Sequence, residues 1–156
     1  GFPYTLTAFR VFTNQRFKSG ILKRASWLPF YEENHITQSL QITSSILQSF
    51  YQEAKEAGRT PIIVLFPMEE DIKNFQKNKY WYYQSLIDDL ASNGIEVLNI
   101  GEKLVASLEN YDVDVTRIYN EKYHFNELGN SQVAAIIQEY LIAQNLIPDD
   151  SFTMKD

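Results

Sequence analysis

Between Ile36 and Ala57 the apolar residues Leu40, Leu47, Phe50, Tyr51 and Ala54 recur at intervals that line one face of a helix. Gly58 follows, where a left-handed cap meets no Cβ clash, and Pro61 blocks re-entry into helix. The next five residues, Ile62-Ile63-Val64-Leu65-Phe66, are continuously apolar and stop at Pro67. Such a run predicts a strand buried on both faces, the mark of a parallel sheet covered by helices. The same order then repeats. Tyr83, Leu86, Ile87 and Leu90 stripe a helix over Tyr80 to Asn93, Asn93-Gly94 ends it, and Ile95 to Ile100 reads as the second strand. The two strands are expected to be parallel neighbours, joined by the Tyr80–Asn93 helix in a right-handed crossover.

Beyond Gly101 the pattern predicts a short helix over Glu102 to Leu108 and a polar, aromatic loop from Glu109 to Phe125. Asn126 is a good N-cap, Glu127 suits the first turn, and Val133, Ile136, Ile137, Tyr140 and Leu141 stripe a last long helix. The alternation is that of an α/β domain with a parallel sheet. Three segments follow: an N-terminal arm or edge segment over 1–35, the α/β region over 36–148, and an acidic tail over 149–156. Tyr4 to Phe12 reads as a strand or an extended arm. Two clear strands are fewer than the roughly five of a complete three-layer domain. The sheet is therefore expected to be incomplete within these residues. Its exposed strand edge is covered either by Tyr4–Phe12, leaving a monomer, or in a homodimer anchored by Trp27, Phe30 or Trp81.

Composition narrows the chemistry. The chain has 156 residues, one domain's worth, with 44% hydrophobic and 22% charged residues, so it can bury a core. It has no cysteine, which excludes disulfides, Cys-ligated zinc, iron–sulfur clusters and a cysteine nucleophile. Its net charge is −6, and the densest basic stretch, Arg16 to Arg24, holds four cations, too few for a nucleic-acid footprint. No apolar run approaches the ~18–20 residues of a membrane span. The start Gly1-Phe2-Pro3, without an initiator Met, is what a cleaved expression tag often leaves, so the chain is expected to be a trimmed piece of its parent.

The strongest chemical candidate is the stretch Glu121 to Asn130. His124 stands two residues before a helix start, where the positive helix end disfavours imidazolium and favours a neutral base. Glu121, three residues earlier, is positioned to accept the Nδ1 proton and fix the tautomer. The competing reading is that His124 packs at the helix entry beside Phe125 while Glu121 is solvated. Elsewhere, His35 suits a capping or surface role. Met68-Glu69-Glu70-Asp71 reads as a solvated loop or helix start, or else as ligands for a divalent cation. Tyr80-Trp81-Tyr82-Tyr83 reads as a helix with Tyr83 inward, or else as a stacking face for a sugar or a base. The glycines are scattered as caps, so no phosphate-cradling loop is present, and no cofactor or metal is expected.

The block His124-Phe125-Asn126-Glu127-Leu128-Gly129-Asn130, followed by Val133-Ala134 and Tyr140-Leu141, resembles the last block of the SGNH (GDSL-type) hydrolases. In that family a catalytic acid and His are spaced Asp-x-x-His before the terminal helix. The resemblance extends back through Ile95–Ile100 and Ile62–Pro67, covering roughly Ile36 to Ile147. It implies a flavodoxin-like, three-layer α/β/α fold and an esterase or acyl-transfer activity on small esters or acetylated glycans. It also implies a cell-envelope or extracytoplasmic setting.

Under the resemblance His124 is the general base. Glu121, one methylene longer than the family's Asp, is the orienting acid, or Asp112 or Asp114 folds back to replace it. The family's Gly-Asp-Ser turn and its Gly and Asn oxyanion donors do not occur in these residues, so the serine and oxyanion hole are expected outside the chain. Removing triad members costs about 10⁶ in kcat, so the chain by itself is expected to be inactive. The alternative is a non-catalytic binding or assembly module that kept the fold and lost the chemistry.

Overall fold

A computed structural model of the chain describes residues 28–32, 34–111, 113–120 and 124–148. Tyr4–Phe12, Trp27, Asp112, Glu121 and the acidic tail lie outside the described residues. In chain order the elements are a 3-10 turn (Leu28–Tyr31), α1 (Ser39–Glu56), β1 (Ile63–Leu65), α2 (Glu69–Asn78), α3 (Gln84–Ser92) and β2 (Val97–Asn99). They continue with α4 (Ile100–Tyr111), a second 3-10 turn (Val115–Ile118) and α5 (Glu127–Ala143). The architecture is mixed α/β. The chain divides into two units, one of Gly1–Pro61 with Tyr82–Ile95 and one of Ile62–Trp81 with Glu96–Asp156.

In the first unit α1 packs against α3 and the first 3-10 turn. The α1–α3 contact has a polar core. The buried Ser44 hydroxyl bonds the Asp89 carboxylate, and the Gln48 amide donates to Ser44 Oγ at 2.9 Å and to Asp89 Oδ2 at 3.3 Å. Both helices end as their sequences predict. Gly58 and Gly94 have φ of 70° and 71°, and in each case the residue after the glycine donates back into the last turn: Arg59 N to Ala54 O, Ile95 N to Leu90 O. These are the bonds of a Schellman motif, and positive φ is why glycine stands there. The predicted stripe of α1 is only partly inward. Leu40 and Ser44 are buried, Leu47, Tyr51 and Ala54 are half-buried, and Phe50 is exposed.

In the second unit β1 and β2 pair in parallel, Ile63 with Val97, Val64 with Leu98 and Leu65 with Asn99, as the repeat of helix and strand predicts. The strands are shorter than expected. Phe66 emerges into solvent, and Ile100 is already the first residue of α4, where it is fully buried. The stretch Met68–Asp71, read as a solvated loop or helix start, opens α2. Its first turn holds Glu69, Glu70 and Asp71, favourable against the helix dipole, and Ile72 is its fully buried anchor. Lys79 ends α2 at φ 58°. The aromatic run after it is not helical, because Asn74 Nδ2 holds the Tyr80 carbonyl at 2.6 Å and Trp81 stacks on Phe75 at 4.2 Å. Trp81 is only 2% exposed, so it belongs to the core and is no anchor for a dimer.

The last helix follows its prediction closely. Asn126 caps α5, its Oδ1 accepting from Gly129 N at 3.0 Å. α5 packs on α4 and the second 3-10 turn, with Gly129 and Val133 buried and Ile136, Ile137, Tyr140 and Leu141 half-buried.

Candidate functional site

His124, the described member of the pair singled out for chemistry, sits on a tight reversal between the second 3-10 turn and α5. Tyr119 and Phe125 form an antiparallel bridge, and their rings stack at 4.6 Å. Asn120 N donates to the His124 carbonyl at 2.8 Å, and His124 N donates to Asn120 Oδ1 at 3.2 Å. Asn126 locks the base of the reversal. Beyond capping α5, its Nδ2 donates to the carbonyls of Arg117 at 2.7 Å and Tyr119 at 3.2 Å. Gly129 admits the close approach of that base, since a Cβ there would stand 2.2 Å from the Ile118 carbonyl oxygen and 2.9 Å from the Phe125 ring.

The reversal is tied to the sheet. The hydroxyl of the buried Tyr119 donates to the Pro67 carbonyl at 2.7 Å, two residues beyond the end of β1. Burial, with the carboxylates of Asp71 and Glu69 nearby, pushes the Tyr119 phenol well above its usual range and keeps it a neutral donor. His124 is exposed on this reversal, consistent with a group open to a reactant.

The partners proposed for His124 are not all placed. Asp114 caps the second 3-10 turn, its Oδ1 accepting from Thr116 N at 2.8 Å and Thr116 Oγ1 at 2.6 Å, which holds its carboxyl below the usual range. Among the described residues no carboxylate is bonded to the His124 ring.

Asp71 is the residue that reading by pattern missed. It stands in the run read as a solvated loop or helix start, and the helix start is there. The side chain, however, is only 4% exposed. Its Oδ2 accepts from Met68 N at 2.7 Å, while Oδ1 is buried and finds no partner among the described residues. Burial, offset by the Met68 bond and reinforced by Glu70, raises its carboxyl to about 6. The available signal was its place at the third position of a helix, where a carboxylate reaches back to the cap N–H. At the end of β2, Asn99 is likewise buried, accepting from Gly101 N at 3.1 Å and donating to Glu102 at 3.2 Å, which starts α4 directly from the strand.

The remaining candidates have structural settings. His35 Nδ1 bonds the Thr37 hydroxyl at 2.7 Å, and its ring meets Phe30 edge-on at 5.3 Å. Among the described residues no group of three or more acids or histidines is placed to hold a metal, and no helix is long and apolar enough to cross a membrane. No known protein family, curated protein or solved structure matches the chain.

Proposed function

We propose that this chain carries the histidine half of a serine esterase or acyl-transfer site of the SGNH (GDSL-like) type, on a flavodoxin-like, three-layer α/β/α scaffold. The observation that carries this is the bond from Tyr119 to Pro67. It sets the His124 reversal beside the carboxyl end of β1, the end of a parallel sheet where ligands collect. His124 Nε2 takes the proton of a serine hydroxyl that lies outside these residues and returns it to the leaving alcohol. Glu121 accepts the Nδ1 proton and orients the ring, with Asp112 and Asp114 as the other acids within the same stretch of chain. Phe66 and Met68, exposed on either side of Pro67, offer apolar surface for the acyl part of a small ester or acetylated glycan.

Fluorophosphonates react with a serine that a base has activated, so labelling of the full gene product tests the proposal. The expected result is labelling that falls about 10²-fold or more in His124→Ala while the fold is retained. A folded gene product that no fluorophosphonate labels would overturn the catalytic proposal and select a binding or assembly module on the same scaffold.

A further inference from the structure

α1 has two apolar faces, and among the described residues only one is packed against the rest of its unit. Ile42, Ile46 and Phe50 are 53%, 62% and 52% exposed, and their four-residue spacing makes one continuous ridge along three successive turns. The small polar residues Thr43, Ser45 and Ser49 beside the ridge are exposed too, so a second backbone meets no bulk there. From Ser39 to Gln52 the helix carries no charged residue. In a chain of net charge −6, this is a surface where a second copy meets no like charge.

The ends of α1 carry complementary defects. No side chain caps its N-terminus and its first turn contains no acid, leaving the positive end of the dipole uncompensated. Its last turns carry the exposed Glu53 and Glu56, acids at the end where the dipole is negative, against one favourable cation, Lys55, which lies over the Tyr51 ring. An antiparallel neighbour of the same sequence corrects both. Glu53 lies as far from Ile46 on one side as Ser39 does on the other, so a two-fold axis at Ile46 brings Glu53 of each copy to the N-terminus of the other helix.

We propose that α1 is a self-association surface, on which a second copy of this chain packs its own α1 antiparallel about a two-fold axis through Ile46. Phe50 of each copy then covers Ile42 of the other, and Ile46 meets Ile46. The ridge suits this occupant because an isologous contact requires one patch to complement itself, and Ile42-Ile46-Phe50 reads the same apolar way in both directions.

The absence of cysteine makes the test clean. Under mild oxidation Ile46→Cys, on the axis, forms an inter-chain disulfide. Ile42→Cys and Phe50→Cys each fail to do so alone and cross-link to one another when mixed. Sedimentation of the unmodified chain gives a mass rising with concentration toward twice 18.2 kDa, and Ile46→Glu holds it at 18.2 kDa with an unchanged circular dichroism spectrum. A mass of 18.2 kDa at every concentration, with no Ile46→Cys cross-link, overturns the proposal. The face is then bare or covered by another occupant, such as residues 1–27. Association that persists in Ile46→Glu also overturns it, since the contact then lies elsewhere.

Discussion

Asp71 and Gly129 are the two positions where a single atom decides the most. The Asp71 carboxyl is raised to about 6 from an ordinary value of 3.8, so the folded chain holds its proton more tightly than the unfolded chain does. Between those two values the unfolded chain releases the proton while the folded one retains it. This group's contribution to stability therefore falls as pH rises through the window, by on the order of 3 kcal/mol, and the loss persists above it. Urea unfolding of the unmodified chain and of Asp71→Asn from pH 3.5 to 7.5 reads this as a difference. The variant gains on the unmodified chain as pH rises, and two parallel curves would show that Asp71 ionises freely. At Gly129 the constraint is steric. A methyl group placed 2.2 Å from the Ile118 carbonyl must push the base of the His124 reversal apart. Gly129→Ala is expected to cost about 2–3 kcal/mol in the same assay, and a cost below ~0.5 kcal/mol would mean that the reversal is not held where the structure puts it.

The elements that pattern predicts correctly are those whose signals are local. Gly58 and Gly94 end α1 and α3 because positive φ is a single-residue requirement, and nothing within 4 Å crowds a Cβ at either position. Gly94→Ala is therefore expected to cost only about 1 kcal/mol, the conformational part alone. A thermal melt indistinguishable from the unmodified chain would contradict that. Asn126 was likewise legible as a cap, but its second task was not. The bonds from Nδ2 to Arg117 and Tyr119 reach nine and seven residues back across the reversal and have no periodic trace. Asn126→Ala is expected to lose about 2 kcal/mol, more than Asn126→Ser, which keeps the cap and loses only the two carbonyl bonds. Equal losses would show that capping is all Asn126 does. Only the start of α2 was legible, because one buried aliphatic residue, Ile72, makes no stripe, and Asp71 looked solvated because a carboxylate among acids usually is. The strands read too long for a related reason. Phe66 and Ile100 are apolar, but one is exposed beyond β1 and the other starts a helix, and hydrophobicity alone does not separate these settings.

At the scale of the whole molecule, the parallel pairing of β1 and β2 was legible because both strands follow a helix and a glycine cap in the same order. The joining of β1 to the His124 reversal was not legible. It depends on one hydroxyl, that of Tyr119, reaching the carbonyl of Pro67. That bond brings the His124 reversal beside the carboxyl end of β1, the end of a parallel sheet where ligands collect, which is what the proposed site rests on. The proposed chemistry then requires one thing of His124, that its Nδ1 keep the proton and donate a hydrogen bond to a carboxylate while Nε2 stays free to act as base. Nitrogen-15 NMR of the imidazole ring reads this directly. The account predicts the Nδ1–H form in the unmodified chain and its loss in Glu121→Gln, with Asp112→Asn and Asp114→Asn showing which acid acts if Glu121→Gln leaves it intact. An Nε2–H ring unaffected by all three substitutions would contradict the account.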